Sequence, residues 1–274
     1  MIDRDLIKRA LAEDLQGGQD ITSVATVSGS EKVVADFVSR KAGVVAGIDM
    51  ARAVLEEVGL TDIAVLVKDG ASVKQGDVLI TVRGDTRAIL LAERTALNFL
   101  GHLSGIATLT RTWVDAIAGT TCEIRDTRKT TPGMRLLEKY AVRMGGGTNH
   151  RMSLSDAALI KDNHIAAAGG VAQAFSKVRA EFPTSEIEIE VDTLDQLREV
   201  LPLKPDVVLL DNMSPAQCAE AVSIVDGGTK LEASGGISLE NAKAYASTGV
   251  NFLAIGALTH SAPVFDIGLD LRAE

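Results

Sequence analysis

From about residue 119 onward the chain alternates strand-like and helix-like runs with short connections, and that alternation leaves few folds open. Strands read at Thr121–Arg125, Ala157–Lys161, Glu186–Val191, Asp206–Leu210, Lys230–Ala233 and Asn251–Ile255. Helical periodicity lies between them, at Met134–Met144, Val171–Glu181, Leu194–Leu201, Pro215–Val225 and Leu239–Ser247. Alternation at this spacing makes right-handed βαβ units and a parallel sheet. Six units are too few for a complete eightfold barrel. A barrel with missing elements fits, and a doubly wound open sheet is the alternative. The core has to be aliphatic, because hydrophobic residues are 46% of the chain and aromatics only 3%. Parallel sheets covered on both faces are built that way.

What ends each strand is the second regularity. The first leads into Asp126-Thr127-Arg128-Lys129-Thr130-Thr131-Pro132-Gly133, the second carries Lys161 and the third Glu190. Asp211 follows the fourth, Ser234-Gly235-Gly236 the fifth, and Ile255-Gly256-Ala257 the sixth. Polar or glycine residues at successive strand C-termini are how a barrel places its site on one face.

Residues 1–118 read differently. An opening helix spans Asp3 to Leu15, and strands read at Glu31–Arg40, Val65–Lys68 and Val78–Arg83. The Asp-Gly and Gly-Asp pairs between Lys68 and Leu79 predict tight hairpins. This stretch resembles half a lipoyl-type sandwich, without a lysine at a carrier tip, and reads as a structural sheet. Thr86 to Ile117 is helical. Arg94, Asn98, Gly101 and Gly105 share one face of it, and the glycines permit close approach of another element. Leu97, Leu100 and Leu103 point to a core. Arg94 is either a surface arginine or a residue presented to a site across an interface.

Charge narrows the ligand. The chain carries a formal net charge of -9, yet Arg94 through Lys161 holds ten Lys and Arg against five Asp and Glu. A basic pocket in an acidic protein suits a small, highly charged substrate better than nucleic acid, which prefers a broad basic surface. Few aromatics also argue against base stacking. No run of eighteen apolar residues exists, so no membrane span is expected. The charged start of the chain reads as lacking a secretory signal. Cys122 and Cys218 are far apart, there are four His, and a zinc site is not expected. The default is a reduced, cytoplasmic protein.

The chemistry follows from residue types. Arg128 and Lys129, adjacent at a strand end, predict an anionic ligand, since burying both without one is costly. His150 and Arg151 follow Gly145-Gly146-Gly147 in the densest basic segment, so His150 reads as cationic or as a hydrogen-bond donor there. The two glycine turns at the last two strands suit a phosphate. Glu190 and Asp211 could do acid-base work, hold Mg²⁺ through water beside ribose hydroxyls, or neutralise Lys161 in an ion network. Lys161 could also form a Schiff base, as in aldolase-type lyases. His164 is placed to order its loop or to cap the following helix, with Asp162 and Asn163 as N-cap candidates. Arg135, Lys139 and Arg143 read as a solvated basic stripe, with Lys139 within reach of the pocket mouth.

Glu93-Arg94-Thr95-Ala96-Leu97-Asn98, Asp126 to Thr130, Asn149-His150-Arg151, Lys161-Asp162-Asn163-His164, Glu190, Asp211-Asn212-Met213 and Glu232 to Ile237 closely resemble the quinolinate phosphoribosyltransferase family. Glu13-Asp14 and Asp20-Ile21-Thr22-Ser23 fit as well. A molybdenum-transport-associated family shares parts of the pattern, and the intact Lys161 to His164 run favours the quinolinate enzymes. The resemblance implies an α/β fold: an N-terminal α/β sandwich domain over 1–118 and an incomplete (β/α) barrel over 119–274, with the chain end free to supply a last strand or helix. It implies transfer of phosphoribosyl from phosphoribosyl pyrophosphate to quinolinate with decarboxylation. It implies a homodimer, or a higher homo-oligomer, in which Arg94 reaches the neighbouring site. Thr127, Arg128, Lys129, His150, Arg151 and Lys161 would surround the quinolinate carboxylates and nearby phosphates. Glu190 and Asp211 would hold ribose hydroxyls and water-bound Mg²⁺. Lys129, Lys161, Glu190 and Asp211 are the catalytic candidates. Ser234–Gly236 and Ile255–Ala257 would hold the 5-phosphate.

Overall fold

The computed structural model describes residues 2–29 and 31–272. Its strands are β1 (Lys32–Ser39), β2 (Gly43–Val44), β3 (Asp62–Val65), β4 (Ser72–Val73), β5 (Val78–Asp85), β6 (Glu123–Arg125), β7 (Ala158–Ile160), β8 (Ile187–Val191), β9 (Val207–Asp211), β10 (Lys230–Ser234), β11 (Phe252–Ala254) and β12 (Ile267–Arg272). The chain forms two units. The first takes in everything to Arg111, then Leu136–Gly146 and the segment from Ser261; the second is Thr112–Arg135 with Gly147–His260.

In the first unit an antiparallel sheet has the order β12-β1-β5-β3. Alternation in β1 buries Ala35 and Phe37 completely. Asp3 caps the helix Arg4–Leu15 by accepting the Leu6 N–H at 2.9 Å. Helix Ile48–Glu57, which has no counterpart among the expectations, buries Met50, Ala51, Val54 and Leu55. In helix Thr86–Ala116, Leu100 and Leu103 are fully buried, while Arg94 and Asn98 are exposed. The close approach expected at its glycines is made by the returning chain. The Phe265 N–H donates to the Gly101 carbonyl at 2.9 Å, and a Cβ on Gly105 would stand 2.2 Å from the Pro263 oxygen.

Four expectations are corrected here. The strand expected at Val65–Lys68 lies at Asp62–Val65. No tight hairpin forms around Ser72, because β4 pairs with β2. Asp69 turns its carboxylate to the Ile48 N–H at 3.0 Å, and the Gly70 N–H donates to Val45, so this Asp-Gly pair routes the chain to β2. The two compact units also depart from a single linear boundary at 118/119. Helix Arg135–Met144 belongs to the first unit from Leu136 on, and the chain end adds β12 beside β1 rather than completing the barrel. Lastly, Lys139 is no part of a solvated stripe. Lys139 and Glu138 are fully buried, Glu138 lies 2.9 Å from His102 Nε2, and Leu136 and Arg143 are exposed.

In the second unit the strands are parallel, in the order β6-β11-β10-β9-β8-β7. Thr148 adds a single parallel bridge on the free side of β6. The ladder therefore runs from Thr148 round to β7, an incomplete barrel. Every residue of β8 is buried, and Val207, Val208, Leu210, Leu231 and Leu253 continue an aliphatic interior. The six strands begin and end within two residues of the expected boundaries. Among the described residues no helix is long and apolar enough to cross a membrane.

Candidate active site

Parallel strands put all their C-termini on one side, and that alone gathers most of the expected residues. Going round the ladder, Asp126 to Lys129 follow β6, Ile255 to Ala257 follow β11, and Ser234 to Gly236 end β10. Asp211 ends β9, Glu190 sits one residue before the end of β8, and Lys161 follows β7. All belong to the second unit. Arg94 belongs to the first.

The cationic side is built on the turn after β6. Asp126, fully buried, accepts the His150 N–H at 2.9 Å and the Asn149 amide at 2.5 Å. Its own N–H donates to the Thr148 carbonyl at 3.1 Å. These bonds tie the Asn149–Arg151 segment to the Thr127–Lys129 turn. Thr127 Oγ1 accepts the Lys129 N–H at 3.0 Å, and the Thr259 hydroxyl donates to the Lys129 carbonyl at 2.7 Å, which links that turn to the end of β11. Arg128 is half-buried, and its Nε, shielded from water, has no hydrogen-bond partner. Arg151 donates from Nη1 to the Ala157 carbonyl at 2.7 Å. Burial, and then the nearby charge of Arg128, push the Arg151 guanidinium below its usual range. Two guanidiniums thus share a partly dry space, which an anion would relieve.

The anionic side holds Glu190, Asp192 and Asp211, with carboxylate oxygens all within 4.8 Å of one another. Burial first pushes Glu190 up, with the Asp211 charge adding to it; burial and then Asp192 push Asp211 up. Lys161 stands 3.4 Å from Glu190 and is half-exposed. The Lys161 N–H donates to His164 Nδ1 at 3.0 Å, so His164 does order its loop. Asp162 is the first residue of helix Asp162–Ala168, and Lys161 holds the N-cap position, which corrects the expectation of Asp162 or Asn163 there.

Between β10 and β9 the chain needs its glycine. Gly235 has φ 85°, and a Cβ there would stand 2.1 Å from Asn212 Oδ1. Asn212 itself takes φ 54° and donates its amide to Asp211 at 2.6 Å. The turn after Ser234 therefore leaves bare backbone beside Asp211.

Sequence reasoning gave no role to Arg125, Glu188 or Glu232, which lie beneath this rim around His150. His150 is buried, with Nε2 2.7 Å from Glu188 Oε2 and 3.7 Å from Glu232 Oε1. Arg125 Nη1 donates to Glu232 Oε2 at 2.8 Å. Burial pushes the carboxyls of Glu188 and Glu232 up to about 7 each. A signal was present: in Ile187-Glu188-Ile189-Glu190-Val191, residues two apart face the same side, so Glu188 must look inward with Glu190.

Comparison with known proteins adds to this geometry. Residues 20–104 match the family model described as quinolinate phosphoribosyl transferase, N-terminal domain, and residues 106–270 match its C-terminal domain. The chain is 54% identical to the nicotinate-nucleotide pyrophosphorylase [carboxylating] of Mycobacterium leprae, over 98% of this chain and 96% of the relative. A probable nicotinate-nucleotide pyrophosphorylase [carboxylating] of Bacillus subtilis is 41% identical over 98% of this chain and 93% of its own. The crystal structure of the nicotinate-nucleotide pyrophosphorylase from Ehrlichia chaffeensis superposes with a TM-score of 0.94 at 40% identity, covering 98% of each chain.

Proposed function

The chain belongs to the quinolinate phosphoribosyl transferase family, and from that premise we infer a site at the strand ends that transfers phosphoribosyl from phosphoribosyl pyrophosphate to quinolinate, with loss of CO₂, to give nicotinate mononucleotide and pyrophosphate, a step of NAD biosynthesis. One observation carries the assignment. Arg128 and Arg151 lie in each other's field in a partly dry space, with a buried Arg128 Nε that has no partner. A ring bearing two adjacent carboxylates supplies the missing acceptors.

Arg128, Arg151 and Lys129 orient quinolinate so that its ring nitrogen faces the anomeric carbon. Thr127 holds the Lys129 backbone in place. Ser234–Gly236 and Ile255–Ala257 bind the 5-phosphate through backbone N–H groups. As pyrophosphate leaves, positive charge grows on the ribose, and the carboxylates of Glu190 and Asp211 face that charge and bind the ribose hydroxyls. Lys161, on the rim, meets the anionic substrates. Once alkylated, the pyridine nitrogen is cationic, so the C2 carboxylate leaves as CO₂ with its electrons held at C2 beside that charge, and C2 then takes a proton from water. No residue acts as a covalent nucleophile. The half-exposed Lys161 paired with Glu190 is poorly suited to a Schiff base, which needs a desolvated amine.

Mg²⁺ fits this donor set. It takes hard oxygen ligands, often one or two carboxylates plus substrate phosphates. Glu190 and Asp211 are both pushed up by burial and by carboxylate neighbours, and a divalent cation held through water would relieve both causes. When bound it supplies charge neutralisation for the leaving pyrophosphate. We also propose a homodimer in which Arg94, exposed on its helix, serves the partner's site. A cytoplasmic setting suits Cys122 and Cys218, both buried and free.

The test is an assay with quinolinate, phosphoribosyl pyrophosphate and Mg²⁺, reading CO₂ and pyrophosphate together. Equal amounts of both are expected. Pyrophosphate without CO₂, or neither, rejects the reaction.

A further inference from the structure

Four polar side chains cross the barrel interior beneath the substrate rim, each from a different part of the ladder. Arg125 comes from β6, Glu232 from β10, Glu188 from β8, and His150 from the segment bridged to β6 through Thr148. The imidazole is the hub. Its Nδ1 accepts the Arg151 N–H at 2.7 Å, so that nitrogen carries its lone pair and the ring proton sits on Nε2. Nε2 then donates to Glu188 Oε2 at 2.7 Å. Glu188 is 4% exposed and His150 7%, so neither meets solvent.

Three carboxylate or imidazole ligand atoms this close could suggest a metal site. The bonds argue otherwise. Nε2 is occupied by its proton, and Glu232 is already bound by Arg125 at 2.8 Å. The cluster is a hydrogen-bonded frame whose outward product is the Arg151 backbone. Arg151 is fixed at two points, its N–H on the imidazole and its Nη1 on the Ala157 carbonyl at 2.7 Å.

We propose that His150 is a positioning residue whose imidazole, held as the Nε2–H tautomer by Glu188, orients Arg151 and does not itself bind quinolinate. This rests on the reading of Arg151 as a quinolinate-binding residue. A second hydrogen-bonding partner that fixes the tautomer of a functional imidazole is a general device. Glu188 is then a positioning residue as well, one step further from the substrate.

Two measurements test it on the full chain. The first is long-range ¹H–¹⁵N correlation of the imidazole nitrogens, with His150 assigned by its loss in His150→Gln. The expected pattern is a bare Nδ1 and a protonated Nε2, unchanged when quinolinate saturates the protein. A proton on Nδ1, an imidazolium, or a change of ring protonation on adding quinolinate would overturn the proposal. The second is the kinetics of Glu188→Met, which removes the acceptor, beside Glu188→Gln, which keeps a carbonyl oxygen there. Glu188→Met should raise KM for quinolinate about tenfold or more, as loss of one aligned charged contact would. KM for phosphoribosyl pyrophosphate should stay within about threefold, and Glu188→Gln should recover most of the loss. Equal rises in both KM values, or no difference between the two variants, would overturn it. The tautomer is read without turnover, so it stands or falls even if Glu188→Met does not fold. Failure of the wild-type chain to release CO₂ from quinolinate would sink the reaction instead.

Discussion

Arg128 and Lys161 are both cations at the rim, but their surroundings differ. Arg128 is half-buried with an Nε that nothing in the protein accepts, whereas Lys161 is half-exposed and paired with Glu190 at 3.4 Å. A planar guanidinium that meets a carboxylate at two points is not replaced by a lysine. Arg128→Ala and Lys161→Ala should each lower kcat/KM for quinolinate by about two orders of magnitude or more, the loss expected of a charged contact to a desolvated substrate. Steady-state kinetics with each purified variant check this, and near-normal turnover in both contradicts the assignment. His150 shows where residue-level reading stops. Its basic neighbours in sequence point to an anionic substrate and say nothing of the carboxylates that face its ring. Its actual partners, Glu188 and Glu232, are 38 and 82 positions away, on strands that only the folded ladder brings together.

At the scale of elements, the barrel strands were legible because each is a short aliphatic run followed by a polar or glycine residue. The first unit was less so. Val65–Lys68 and Val78–Arg83 looked like neighbours across a hairpin, but Asp69 and Gly70 hydrogen-bond to Ile48 and Val45, partners no local pattern announces. Helix Arg135–Met144 misled for a related reason. A basic spacing of four normally marks a wet face, yet Lys139 is fully buried. The glycine face of helix Thr86–Ala116 was read correctly, and it yields a prediction. A Cβ at Gly105 would stand 2.2 Å from the Pro263 carbonyl oxygen, and backbone cannot swing aside as a flexible side chain can. Gly→Ala within a helix gains about 1 kcal/mol of propensity. Overpacking against backbone costs about 1–3 kcal/mol, sometimes more. The clash should win, so Gly105→Ala should lower the urea midpoint with an unchanged m-value. A midpoint equal to or above that of the parent chain would mean that the segment Pro263–Phe265 moves freely.

At the scale of the whole molecule, the chain order and the units do not coincide. The chain end returns to pair β12 with β1, through six residue pairs from Val34↔Arg272 to Ser39↔Ile267, and that long-range register is invisible to any window of sequence. The same non-local logic bears on Arg94. It is exposed on a helix of the first unit, while the other candidate cations lie in the second. If Arg94 serves the site of a partner copy, two inactive variants can complement each other. In a mixed dimer of Arg94→Ala and Lys161→Ala chains, one site has lost both residues and the other has lost neither. With random exchange, half the dimers are mixed and each carries one intact site, so activity should return to about a quarter of the wild-type value. Mass spectrometry of differently tagged chains establishes that the mixed species has formed. Mixed dimers present in that proportion, with activity no higher than either parent variant, would remove Arg94 from the partner's site and return it to an ordinary surface arginine.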